Sequence, residues 1–254
     1  MSLFGASIFD RLAARRSLRH WRRLADGAAT ADLMDLKRAR GQAAQARREV
    51  DRLLHAADTR LAGVQEALPR PELADWAWRP EGWRQRISSA GQAPVQSGAV
   101  VGGDVLLYHD CGESEIALRQ LRNRQDDEAA PWAVQCDVFG FEGTYLSLVI
   151  ELPVAAAVGL GPGHVLRLDT LIEAEKPVEI FARLNIRHGP NTEQIVRELP
   201  PGERRVGTEF DLAHSGINQR RVERAWIDLI FGRPEMNQLL LRDVVLSRCP
   251  RAEP

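Results

Sequence analysis

From Val178 to Arg187 the side chains alternate, with Val178, Ile180, Ala182, Leu184 and Ile186 set against Glu179, Phe181, Arg183, Asn185 and Arg187. Alternate residues of an extended chain share a face, so Arg183, Asn185 and Arg187 stand in a row about 7 Å apart. Two guanidinium groups and an amide beside Phe181, followed by the loop His188-Gly189-Pro190-Asn191, suit an array of sugar hydroxyls or a carboxylate. Neighbouring strands can add Arg167 and Asp169, or Ser147 and Glu151, and Tyr145 offers a further ring. The expected ligand-binding set is therefore Arg183, Asn185, Arg187, His188, Asn191 and Phe181. The same pattern is also what ordinary cross-strand charge pairing on an outer sheet face looks like.

Other reactive residue types gather less well. His109-Asp110-Cys111 places a base beside a thiol, but without a third group to orient the imidazole the pair reads as structural. His20, His55, His164, His188 and His214 are scattered and show no metal-ligand spacing. Three cysteines, Cys111, Cys136 and Cys249, fit neither a zinc set nor a disulfide framework, and Cys136 falls on the apolar phase of its strand. Asp211, Asp228 and Asp243 lie near the end or middle of apolar strands, where a buried carboxylate needs a partner; a structural cation or an arginine such as Arg224 or Arg242 can supply it, and the arginine is the simpler expectation. Gly98 to Gly103 lacks the strand-turn-helix setting and the Lys-Ser/Thr of a phosphate loop, and no GxSxG occurs. No cofactor or metal is expected, and an enzyme ranks behind the noncatalytic readings.

The elements that must position these residues are strands. Two-residue alternation returns in Val105–His109, Glu115–Leu121, Trp132–Phe139, Thr144–Leu152, His164–Glu173, Val178–Arg187, Thr192–Leu199, Val206–Asp211, Arg224–Phe231 and Leu239–Arg248, with Gly and Pro at the joins. So many strands without intervening helices predict a mainly β fold, an antiparallel jelly-roll-like sandwich over 69–254. Trp76, Trp78 and Trp83 precede it; they either seal the mouth of the core or form an aromatic platform, and sealing is the commoner use.

The first 68 residues read as an α-helical arm of two helices. Leu33, Leu36, Ala43, Val50, Leu54, Ala57, Leu61, Val64 and Leu68 step by three and four, with Arg40 and Arg47 in the gaps, which predicts a helix about 50 Å long with a narrow seam. That seam can pack within the chain or self-associate. Phe4 to Ala25 predicts a shorter helix with Phe4, Ile8, Phe9 and Leu12 apolar and Arg11, Arg15, Arg16, Arg19, Arg22 and Arg23 cationic. Packing on the neighbouring helix with a solvated basic face is the favoured expectation, and an interfacial helix on an anionic membrane the alternative. The chain balances 34 basic against 35 acidic residues, yet residues 1 to 63 carry thirteen of the former and seven of the latter. Nucleic acid is disfavoured because aromatic residues do not interleave with the arginines. The odd cysteine count and the lack of a signal-type or membrane-spanning run predict a cytoplasmic protein, peripheral at the inner membrane if the arm docks there.

Three stretches carry a resemblance: Thr144-Tyr-Leu-Ser-Leu-Val-Ile-Glu-Leu-Pro153, Phe181-Ala-Arg-Leu-Asn-Ile-Arg-His-Gly-Pro-Asn-Thr-Glu-Gln194, and Ala225-Trp-Ile-Asp-Leu-Ile-Phe231 with Pro234, Asn237 and Arg242-Asp243. Together they resemble an uncharacterised family of alphaproteobacterial proteins to which no activity is assigned. More loosely, the sandwich is similar to galactose-binding-like jelly rolls and carbohydrate-binding modules. That resemblance implies a noncatalytic module recognising a glycan or acidic small ligand. The alternative is a scaffold whose basic helices dock on a membrane or a protein partner.

Overall fold

The computed structural model describes residues 8–65, 68, 70–87, 91–123 and 130–251, the side chains at 8–11, 55 and 58–65 excepted. Phe4 and the side chains of Ile8, Phe9, Arg11, Leu61 and Val64, which belong to the predicted helices, lie outside the described residues. Two compact units divide the chain, residues 1–57 and 58–254.

The arm holds α1 (Ile8–Gly27) and α2 (Leu33–Gln65). Between Ile8 and Asp26 no Gly or Pro interrupts α1. The Asp32 carboxylate accepts the Met34 N–H at 2.8 Å, satisfying one of the orphan amides at the start of α2. The seam of α2 is largely uncovered, with Leu33 79% and Val50 55% exposed.

The second unit is a two-sheet antiparallel sandwich. Its strands are β1 (Trp76–Trp78), β2 (Gly91–Gln92), β3 (Ala99–Val100), β4 (Val105–His109), β5 (Glu115–Arg122), β6 (Trp132–Gly140), β7 (Leu146–Glu151), β8 (His164–Ala174), β9 (Glu179–His188), β10 (Asn191–Leu199), β11 (Arg205–Asp211), β12 (Val222–Gly232) and β13 (Asn237–Pro250), with short helices α3 (Glu81–Arg84) and α4 (Val154–Ala157). One sheet runs β11-β8-β13-β6-β5-β2, with β1 also on β13; the other runs β10-β9-β12-β7-β4-β3. From β4 onward only the β5–β6 and β9–β10 hairpins stay within a sheet, and each other connection crosses the sandwich, a jelly-roll-like wiring. Gly189 opens the two-residue β9–β10 loop with a φ of 62°, the left-handed geometry such a loop asks of its first residue.

The core is the set of inward-facing residues of both sheets, among them Leu148, Ile150, Leu166, Leu168, Leu184, Ile227, Leu229 and Leu241. Trp83 is fully buried and donates its indole N–H to the Leu241 carbonyl at 2.8 Å. Trp76 and Trp78 stack at 6.2 Å and pack against the same core, so this tryptophan cluster seals the sandwich. A register shift in β13 between Leu241 and Asp243 turns the Asp243 carboxylate to the buried Arg79, which donates Nε and Nη2 at 2.8 and 3.0 Å. Asp243 thus pairs with Arg79 rather than with Arg224 or Arg242; Arg242, its chain neighbour, meets Glu173 at 2.9 Å instead.

Candidate functional site

Register places the site on the outer face of the six-stranded sheet. Arg183 lies opposite Asp228 and Asn185 opposite Trp226 across β9 and β12, while Ile230 lies opposite Ser147 and Asp228 opposite Val149 across β12 and β7. Tyr108 of β4 then lies opposite Ser147. Alternation turns these residues away from the core, as it turns their neighbours Leu184, Ile227, Leu148 and Leu107 into it.

At the centre of this face is a buried polar cluster. Asp228, 3% exposed, accepts from Arg183 Nε at 2.8 Å and from Asn185 Nδ2 at 3.0 Å. Asn185 is fully buried and accepts in turn from Gln194 Nε2 at 2.8 Å, so β10, β9 and β12 are joined by one chain of side-chain hydrogen bonds. Beside it opens a cleft of about 430 Å³ lined by Tyr108, Tyr145, Ser147, Val149, Arg183, Asp228 and Ile230. Tyr108 and Tyr145 are 38% and 43% exposed, and the Ser147 hydroxyl is buried with no hydrogen-bond partner among the described residues. At the next position along β12, Arg224 lies over the Trp226 ring at 4.7 Å and grips Glu151, Nε to Oε2 at 2.7 Å. The hydrogen bonds to Glu151 hold the Arg224 guanidinium above its ordinary range.

The residues expected from the sequence separate here. Arg183 and Asn185 join the cluster; Phe181 is half-buried on the same face opposite Ile230. Arg187 shares the face but sits further along, 3.5 Å from Glu223 with both side chains exposed. His188 is buried and its Nδ1 accepts the Asn218 N–H at 3.4 Å, because the residue after Arg187 must face inward. Asn191 is exposed at the hairpin, opposite His188 and off the cleft. Arg167 and Asp169 belong to β8 in the other sheet, whereas Ser147 and Glu151 are on this one. Asp228 takes Arg183 and not Arg224 as its partner, since Arg183 is directly across the ladder and Arg224 is engaged by Glu151. Tyr108 was not among the expected residues; its signal was its phase, opposite to Val105, Leu107 and His109.

Both ring nitrogens of His109 meet backbone groups. Its Nδ1 accepts the Cys111 N–H at 3.2 Å and its Nε2 lies 3.0 Å from the Val95 carbonyl, an arrangement that leaves the proton on Nε2. Asp110 turns to Thr144. Two further clefts, of about 310 and 470 Å³, open beside Pro200–Arg204 and beside Arg70 and Arg205, and neither is lined by an aromatic side chain. Among the described residues no group of three or more His, Cys, Asp or Glu is placed to hold a metal ion.

Solved structures with a similar course of chain include the enzymatically active domain of bacteriophage CBA120 tailspike protein 4, at 11% identity and a TM-score of 0.41, covering 56% of this chain and 19% of that one. The family 11 carbohydrate-binding module from Clostridium thermocellum, in complex with a β-1,3-1,4-mixed-linked tetrasaccharide, matches at 12% identity and a TM-score of 0.39, over 59% of this chain and 91% of that one. The C-terminal family 22 carbohydrate-binding module of Clostridium thermocellum Xyn10B matches at 7% identity and a TM-score of 0.36, over 73% and 99%. This chain spans about a fifth of the length of the tailspike domain it matches. A search of curated proteins finds no match. Along its whole length, residues 1–254, the chain matches a family described as being of unknown function, DUF6478, and it belongs to that family.

Proposed function

We propose that the protein is a noncatalytic binding module that holds a neutral glycan against the outer face of the six-stranded sheet. The observation that carries this reading is the cleft in which two half-exposed tyrosine rings stand beside the Ser147 hydroxyl and the Arg183–Asp228 pair. A sugar ring presents apolar C–H faces and a rim of hydroxyls. Tyr108 and Tyr145 supply surfaces for the faces, and the serine, guanidinium and carboxylate supply fixed donors and acceptors for the rim.

Charge favours a neutral ligand over an acidic one. The three arginines that the strands of this face carry are each paired, Arg183 with Asp228, Arg224 with Glu151 and Arg187 with Glu223. An anion would meet guanidinium groups already neutralised and a buried carboxylate at close range.

The test is calorimetric titration of the full-length protein with neutral xylo-, gluco- and galacto-oligosaccharides, and with hexuronic acids for comparison. One neutral class should saturate, and Tyr108→Ala with Tyr145→Ala should weaken it by about tenfold or more while the melting temperature holds, both rings being partly exposed. Failure of every neutral sugar, or binding that survives the double replacement, removes the proposal.

A further inference from the structure

Between Ala13 and Ala25, α1 has two distinct faces. At the angular step of a helix, Ala13, Ala14, Leu18, Trp21, Leu24 and Ala25 fall in one sector of about 140°, interrupted by Ser17. Arg15, Arg16, Arg19, Arg22 and Arg23 occupy an opposite sector of about 120°, and no acidic residue occurs from Arg11 to Ala25. Among the described residues of the arm's own unit nothing covers the apolar face: Leu18 is 70% and Leu24 37% exposed, and Trp21 is only half-buried. The arginines are exposed as well.

We infer that α1 docks on an anionic lipid bilayer, lying flat with Leu18, Trp21 and Leu24 in the headgroup–acyl boundary and its arginines among the lipid phosphates. Two features select this occupant. The apolar sector is wider than the narrow stripe of a two-helix seam. No acidic residue within 11–25 neutralises the five arginines, and Arg15 and Arg22, at the border of the basic sector nearest the apolar one, can lay their stems along a bilayer surface with their charged ends at the phosphates. No helix among the described residues is long and apolar enough to cross a membrane, so α1 lies on the surface rather than spanning it.

Sedimentation of full-length protein with phosphatidylglycerol-containing vesicles, against pure phosphatidylcholine, tests the inference. Binding should require the anionic lipid and fall about tenfold or more as salt rises from about 0.05 to 0.5 M. Arg19→Gln, Arg22→Gln and Arg23→Gln together should weaken it by about a hundredfold. Leu18→Asp should abolish it, with the melting transition of the sandwich unchanged because these side chains are exposed. Leu33→Asp on α2, equally exposed, should leave vesicle binding as it is. Equal binding to pure phosphatidylcholine, no binding at all, or full retention by Leu18→Asp overturns the inference. So does a lipid-free dimer that Leu18→Asp dissolves, which would make the occupant a second copy.

Discussion

Arg79 and Asp243 form a tight two-point ion pair in the molecule, with side chains 0% and 9% exposed, and the pair fastens the segment after β1 to the shifted register of β13. Both charges have left water, so their attraction is offset by the cost of desolvating them. Removing one partner is then worse than removing both. Arg79→Met should lower stability by about 3–5 kcal/mol, read from the urea midpoint, because it strands a buried carboxylate. Adding Asp243→Leu should recover most of that loss. If the double variant is as unstable as the single one, the pair is held by something other than mutual neutralisation. Arg183–Asp228 on the opposite sheet differs in kind: Arg183 keeps 38% of its side chain in solvent, so the guanidinium is available at the lip of the cleft while the carboxylate beneath it is fixed. That asymmetry makes the first pair a staple and leaves the second within reach of the ligand proposed for this face.

At the scale of elements, the longer strands are legible where they keep a two-residue period, as in β9 and β12, and less so in β10, where Glu193 and Arg197 share a phase with Ile195 and Leu199. The three short strands, β1 to β3, carry two or three residues each, too few for a period to show. Which strand neighbours which was not legible, since alternation states the face and not the partner; hence Asp228 was marked as a carboxylate in need of an arginine, but Arg183, 45 positions earlier, was not identified as that arginine. His188 was grouped with Arg187 because they adjoin in sequence, and adjacency on a strand means opposite faces. Strand β6 shows what a period cannot reveal: Trp132 through Val138 are all buried, on both phases. Within it the Cys136 thiol is pushed up to about 12 by burial and by the neighbouring Asp137. Cys136 should therefore resist alkylation at about pH 8 until β6 opens, while the half-buried Cys111 and Cys249 react in the folded protein. Mass spectrometry of protein labelled at increasing urea checks this; labelling of Cys136 at the rate of Cys249 without denaturant would mean that β6 opens locally.

For the molecule as a whole, the carboxylates that tie the sandwich together predict its response to acid. Burial pushes Asp137 upward, but hydrogen bonds from Gln135, Gln238 and Arg119 outweigh it and hold the carboxyl below its ordinary value. Glu173 follows the same course, burial being outweighed by Arg242 and Arg204, and Asp110 is lowered chiefly by its bond from Thr144. A depressed carboxyl contributes stability that is complete above the unfolded value, about 4, and is lost as pH falls toward the folded one. Asp104 runs the other way, raised chiefly by burial, so its contribution is complete below the unfolded value and fades as pH climbs through the folded one. The three lowered groups predict a loss of stability as pH falls below about 4, opposed by the one raised group. Asp137→Asn with Glu173→Gln should lower stability at pH 7 and flatten that acid slope, as followed by urea midpoints across the range. These bonds lie on the seven-stranded sheet, with Asp137 on β6 and Glu173 on β8, away from the strands that line the tyrosine cleft. A slope that stays as steep in the double variant would move the acid response to Asp110, the third lowered carboxylate, which accepts the Thr144 and Tyr145 N–H groups at 2.7 and 3.2 Å. In that case acid stability would be coupled to Tyr145, which lines the cleft of the proposed site.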